Sequence, residues 1–189
     1  MKTITFSVNA YNVAATVGET IQSIISVSED YLEKIEVLVI NDGSTDDTSD
    51  IVQEYLQKYP DTIRLISKKN GGLGSAMNCG MKNAKGKYFK SIDGDDWVCT
   101  ENLGDLIDYL EKVDSDMVVS DYVENYSYKS PHPVYFFEAM IPQKEYQINE
   151  VISSLKLIPY HSLFYKTSIL QQYSISIDEK MYYVDTELE

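Results

Sequence analysis

The sequence predicts an α/β fold, a mostly parallel central sheet with helices on both faces. Three observations predict it. Short β-rich runs alternate with helical stripes through residues 1–120. The run "IEVLVI" at 35–40 is the β-branched type expected of a strand covered on both sides. A polar loop follows each of the first four strands, and in such sheets ligands lie at the carboxyl ends of the strands.

Each element has its own signal. "TITFSV" at 3–8 alternates and is rich in β-formers, which predicts the first strand. Val17, Ile21, Ile24, Ile25 and Ser28 recur at helical spacing. After the strand at 35–40, "NDGSTDDT" supplies turn and cap residues. Ile51, Val52, Tyr55, Leu56 and Tyr59 stripe the next helix, which Pro60 stops. "TIRLIS" at 62–67 is a third strand. Residues 74–85 form a small-residue helix ended by Gly86. "KYFKSI" at 87–92 is a fourth strand, Leu103, Leu106, Ile107 and Leu110 mark a helix, and "DMVVS" at 116–120 is a fifth strand. Beyond residue 121 the tyrosine- and proline-rich stretch has no helical period and reads as a hairpin or an excursion over the sheet. Residues 143–157 read as a helix, and "HSLFYKTSIL" as strand then helix. No repeat or low-complexity linker divides the chain, so residues 1–189 are expected to form a single domain. Residues 1–120, which hold the polar loops, are expected to make its ligand-binding half, and residues 121–189 a second half cut short from a longer parent.

Composition narrows the function. The 189 residues carry 16 Lys+Arg against 30 Asp+Glu, a formal charge of −14. That argues against a broad nucleic-acid surface, which needs clustered cations, and against electrostatic docking on anionic lipid. A small anionic substrate remains open, because a bound cation reverses the local field. Cys79 and Cys99 fit neither a metal-ligand spacing nor a disulfide framework, which suggests reduced thiols in a cytoplasmic protein. No run approaches the roughly 18 apolar residues of a membrane helix.

Three loops carry candidate chemistry. In "DGDD", Asp93 and Asp95 flank a glycine, so both carboxylates can reach one side of a tight loop. Mg²⁺ and Mn²⁺ take such oxygen ligands together with substrate phosphates. The plain alternative is an acidic turn in which Asp95 or Asp96 caps the next helix. In "NDGS", Asp42 can accept a hydrogen bond from the ring N–H of uracil or guanine, a group that cytosine lacks. In "KKNGGLGSAMNCG", two lysines and Gly71 and Gly72 precede a helix N-terminus, a place that attracts phosphate; close helix packing is the other explanation of the glycines.

Taken together and in order, "FSVNAYNVAATVGETIQSI", "VLVINDGSTDDT", "NGGLGSAMNCGMKNAKGKYFKSIDGDDWV" and "PYHSLFYKTSIL" resemble the inverting glycosyltransferases of family 2, with the Rossmann-like GT-A fold. The resemblance implies transfer of a sugar from a nucleotide-sugar donor, a UDP-sugar, to an acceptor hydroxyl on a glycan or lipid-linked sugar. It implies Mn²⁺ or Mg²⁺ as cofactor and polysaccharide or cell-surface glycan synthesis as setting. It gives Tyr11, Asn12, Val13, Asp42 and Gly71 to the nucleotide sugar. Asp93 would lie near the ribose or reach the metal through water, and Asp95 would bind the metal directly. Trp97 and His161 fall on the acceptor and sugar side; shaping the loop and packing are their plainer roles. The stretch "YYVDTE" matches the family's base position and makes Asp185 the catalytic base. The resemblance also implies a cytoplasmic enzyme, held at the inner membrane face through segments outside this chain.

Three positions depart from the family pattern. Val184 replaces the first residue of the acidic pair, Met77 stands where an arginine is common, and Tyr160-His161 stand where Trp and Asn or Lys are common. Two rivals belong to other classes: a binding module that holds a nucleotide sugar without turnover, and a sugar nucleotidyltransferase. The second needs basic residues after the first strand, and "VNAYNVAATVGET" has none. A calcium-binding loop is a third thought, but no EF-hand glutamate follows.

Overall fold

The computed structural model describes residues 1–125, 130–135, 141–151 and 159–181. A six-stranded sheet runs in the order β3-β2-β1-β4-β8-β5. Its strands are β1 (Ile4–Ala10), β2 (Ile35–Asn41), β3 (Ile63–Ser67), β4 (Tyr88–Asp93), β5 (Met117–Val119) and β8 (Leu163–Lys166). The first four are parallel, whereas β8 pairs antiparallel with both β4 and β5. The sequence expectation of a mostly parallel sheet therefore holds, with one reversed strand inserted between β4 and β5.

Helices cover both faces. On one, α1 (Val17–Ile25), α3 (Thr48–Lys58) and α5 (Thr100–Lys112) seal Ile4, Phe6 and Val8 of β1 with Ile21, Ile24, Val52 and Ile107. On the other, α4 (Leu73–Asn83) places Ala76 against Leu38 and Ile40, and Met77 and Met81 against Phe89. Each fully buried Val, Ile, Leu or Phe side chain contributes about 1.5–3 kcal/mol, so this two-sided core fixes the strands. Glu36 interrupts the apolar run of β2. It is 2% exposed and is satisfied by the Arg64 guanidinium, the Thr5 hydroxyl and the Lys85 N–H.

Several smaller elements differ from the sequence reading. Ser28 does not extend α1; its carbonyl starts the short α2 (Glu29–Leu32). The stretch after residue 121 is a two-stranded antiparallel sheet of β6 (Tyr122–Glu124) and β7 (His132–Val134), the hairpin alternative. The helix expected over 143–157 is observed only as α6 (Ile148–Val151), and 152–158 lie outside the described residues. Residues 143–147 are not helical because Gln143 sits at φ 60° and the Lys144 N–H closes a turn on the Ile141 carbonyl. A 3-10 turn (Tyr160–Ser162) leads into β8, and α7 (Thr167–Gln172) follows it, as expected of "HSLFYKTSIL".

The segment after α7 crosses α4. The Asn78 side chain holds the Ile177 backbone at both ends, donating to its carbonyl (2.8 Å) and accepting from its N–H (2.9 Å). A Cβ on Gly74 would stand 2.1 Å from the Asp178 carbonyl oxygen, so glycine there is what lets the strap lie down. Among the described residues, no helix is long and apolar enough to cross a membrane.

Candidate functional site

Parallel order puts the ends of β1, β2 and β4 side by side, and a cleft of about 300 Å³ opens there. Asn9, Tyr11, Val13, Asp42, Asp93 and Asp95 are among the residues that line it. Residues from three separate loops thus meet at the carboxyl edge, where this sheet type leaves its crevice.

The acidic loop does not cap a helix. Helix α5 begins at Thr100 with Cys99 as its cap residue, and the Cys99 side chain makes no capping hydrogen bond. The loop is fixed from behind instead. The Gly94 N–H donates to the Asn9 carbonyl (2.9 Å), and the Gly94 carbonyl accepts from the Thr16 and Thr20 hydroxyls. A Cβ on Gly94 would meet the Asn9 oxygen and Val13 Cγ2 at 2.9 Å each, so glycine lets the loop press onto β1. The result turns Asp93 inward and leaves Asp95 exposed at the cleft.

Asp93 is held at both oxygens. Asn9 Nδ2 donates to Oδ1 (3.4 Å) and the Tyr160 hydroxyl donates to Oδ2. Burial pushes the Asp93 carboxyl up, the Asp95 charge adds to this, and the two hydrogen bonds pull the other way. Asn9 Oδ1 is buried without a partner among the described residues, and Asn9 lines the cleft. Beneath the loop, Lys90 is 7% exposed and lies over the Phe164 ring, and its ammonium donates to the His161 carbonyl. Desolvation pushes Lys90 down to about 7, against the pull of Asp96.

Asp42 is 3% exposed, and its carboxylate already accepts from Lys68 Nζ (2.6 Å), the Gly71 N–H (3.0 Å) and the Gly72 N–H (2.7 Å). Three donors occupy a group that offers about four acceptor sites. Asp42 thus ties the β2 loop to the glycine loop while still lining the cleft. Asn12, at φ 54°, ties the β1 loop to the β2 loop: its N–H donates to Ser44 Oγ (3.0 Å) and its Oδ1 accepts the Thr45 N–H (2.8 Å).

Of the residues expected at a ligand site, Tyr11, Val13, Asp42, Asp93 and Asp95 line the cleft. Asn12 and Gly71 are not among the lining residues and serve as ties between the loops. Trp97 is 54% exposed beyond the acidic loop. His161 is not among the cleft-lining residues; its ring makes edge-type contacts with Tyr122 (4.5 Å) and Tyr160 (5.8 Å). Asp185 lies outside the described residues. Sequence reasoning missed Asn9 and the link from Tyr160 to Asp93. The signal for Asn9 was its place at the polar end of β1, beside Asp93 in register.

The donor set suits a hard divalent ion. Of the three carboxylates on the cleft, Asp42 is taken up by Lys68, Gly71 and Gly72, which leaves the Asp93 and Asp95 pair; no group of three His, Cys, Asp or Glu side chains surrounds a point among the described residues, and the orphaned Asn9 oxygen adds a further acceptor. A site with one or two carboxylates fits Mg²⁺ or Mn²⁺ that takes its other ligands from water and phosphate.

Comparison with known proteins places the chain. Residues 5–173 match the model of glycosyl transferase family 2. Minor teichoic acid biosynthesis protein GgaB of Bacillus subtilis (strain 168) is 32% identical over 160 residues, which are 81% of this chain and 16% of that protein. Glycosyltransferase GlyA of Streptococcus pneumoniae serotype 4 is 31% identical over 137 residues, 72% of this chain and 19% of that one. Among solved structures, S. aureus TarS 1-349 in complex with UDP-GlcNAc gives a TM-score of 0.78 at 24% identity, over 98% of this chain and 51% of TarS 1-349. The mannosyltransferase PcManGT from Pyrobaculum calidifontis, in complex with GDP-Man and Mn2+, gives 0.64 at 17% identity, over 97% of this chain and 49% of that one. These likenesses show the GT-A fold, and the chain spans about half the length, or less, of these relatives. With the family match running from β1 into α7 on this fold, the chain belongs to glycosyl transferase family 2.

Proposed function

We propose that this chain is the donor-binding part of an inverting glycosyltransferase that moves a sugar from a UDP-sugar to an acceptor hydroxyl in cell-surface glycan synthesis. The observation that carries the reading is the meeting of Asp42, Asp93 and Asp95 on one cleft, with Asp95 left exposed. Support for the setting comes from GgaB, whose name is minor teichoic acid biosynthesis protein, and support for the donor from the UDP-GlcNAc bound by TarS.

In this reading Tyr11, Asn12, Val13 and Asp42 surround the uracil, with Gly71 fixing the Asp42 carboxylate. Asp93 faces the ribose, and Asp95, with Asp93 behind it, would hold Mn²⁺ or Mg²⁺. When bound, the ion supplies charge that offsets the negative charge growing on the departing diphosphate. Asp185 takes the proton of the acceptor hydroxyl as it attacks the anomeric carbon, and UDP leaves from the opposite face. The configuration at that carbon inverts. The same reading gives Trp97 to the acceptor side; its indole is exposed, as suits contact with a sugar ring.

A thermal-shift screen tests the reading. Nucleoside diphosphates and nucleotide sugars are scanned with and without Mn²⁺. A ligand that binds only the folded state raises the melting point by mass action, by about 2.7 kcal/mol of stability at one hundred times Kd. UDP and UDP-sugars with Mn²⁺ are expected to give the largest rise and CDP the smallest. Equal shifts for all nucleotides, or none, would reject the donor assignment.

A further inference from the structure

We propose that Tyr160 is a positioning residue for Asp93: its phenol locks one carboxylate oxygen, so that the donor site is completed by the segment preceding β8. This rests on the reading of the cleft as a UDP-sugar site and adds a residue to it.

The geometry argues for a purpose-built clamp. Asp93 receives Asn9 from β1 on one oxygen and Tyr160 from a turn 67 residues away on the other. A carboxylate with both oxygens engaged keeps one rotamer, and a ligand arriving in the cleft meets a fixed acceptor. Tyr160 is itself fixed. It is 7% exposed, and its ring packs with Met77, Met81, Phe89 and Ile177. The turn that carries it is pinned by Lys90 on the His161 carbonyl, by the Ser162 N–H on the Pro159 carbonyl (2.8 Å), and by the Ser120 N–H on the Ser162 carbonyl (2.9 Å). The same cluster contains Ile177, which Asn78 holds by its backbone. Tyr160 thus joins three things: the acidic loop, the glycine-led helix α4 and the strap that crosses it. A tyrosine needed only to fill this apolar cluster has no use for its hydroxyl, whereas here the hydroxyl reaches the half-buried Asp93 carboxylate of the acidic loop.

The test is a double-mutant cycle read by calorimetry, with UDP in the presence of Mn²⁺ as the probe. Tyr160→Phe keeps the ring and removes only the hydroxyl. Its affinity for UDP is expected to fall about 10-fold, the scale of one hydrogen bond to a charged group. In an Asp93→Asn background, adding Tyr160→Phe is expected to change the affinity less than 2-fold, because the phenol acts through the carboxylate. Melting midpoints of the two Tyr160→Phe proteins are expected within about 2–4 °C of their parents. Unchanged affinity in Tyr160→Phe would overturn the inference. So would an equal loss in both backgrounds, or a large fall in both midpoints, since either marks a packing role. Absence of UDP binding in the unsubstituted protein would instead sink the donor reading, and this inference with it.

Discussion

Replacing Asp95 with alanine is expected to abolish the gain in UDP affinity that Mn²⁺ provides, a loss on the order of 100-fold or more, since even outer partners of a metal site are worth 10–100-fold. The fold should not suffer. Asp95 is exposed, and the loop around it is held through Gly94 by Thr16, Thr20 and Asn9, none of which depends on the Asp95 side chain. Its charge also raises Asp93, so in the ligand-free protein its removal relieves repulsion between neighbouring carboxylates. Calorimetry with and without the metal is the measurement. The expected result is UDP binding that no longer responds to Mn²⁺, with an unchanged melting point. The contrast with Asp93 is informative, because substituting Asp93 also strands Asn9 and Tyr160.

The second large effect is expected at Asp185. Asp185→Asn preserves size and hydrogen bonding but removes the site that accepts a proton. Turnover is expected to fall about 10²–10⁴-fold, the range for loss of a general base. UDP affinity should be unchanged, because in the proposed reading the diphosphate is held through Asp95 and not through Asp185. Release of UDP from the best-binding UDP-sugar, measured with acceptor present, separates the two quantities. Retained turnover would remove Asp185 from the mechanism. A parallel loss of binding would make it part of the donor site.

How much of this was legible in the sequence follows from the range of each interaction. Strands β1 to β4 were readable because each carries a local run of β-forming residues, alternating in β1 and largely apolar in β2. Even the exception in β2 shows the rule: Glu36 reads as a blemish, and only the fold brings Arg64, Thr5 and Lys85 to it. The insertion of β8 between β4 and β5 was not readable. Four residues carry no record of which strand they will pair with, or in which direction. The helix expected from residue 143 failed at its start for a local reason, a left-handed Gln143 that apolar spacing cannot reveal.

The site divides in the same way. Asp42, Asp93 and Asp95 were found because each sits in a short motif at a strand end. The contacts that fix them were not. Lys68, Gly71 and Gly72 reach Asp42 across 26–30 residues, and Tyr160 reaches Asp93 across 67. Asn9 looked like the tail of a strand; its orphaned oxygen and its bond to Asp93 exist only once β1 and β4 are in register. For His161 the sequence left a sugar contact and a packed role both open; in the structure its ring packs against Tyr122. Motifs locate the reactive groups, whereas the residues that aim them are set by topology.

The central claim is that the acidic loop after β4 binds a divalent ion that accompanies the diphosphate of UDP. A crystal structure with UDP and manganese, with X-ray data collected at the manganese absorption edge, tests it most directly. The expected result is an anomalous peak in the cleft, ligated by the Asp95 carboxylate and by phosphate oxygens. UDP bound there with no peak at Asp95, or manganese and nucleotide both absent from the cleft, would contradict it.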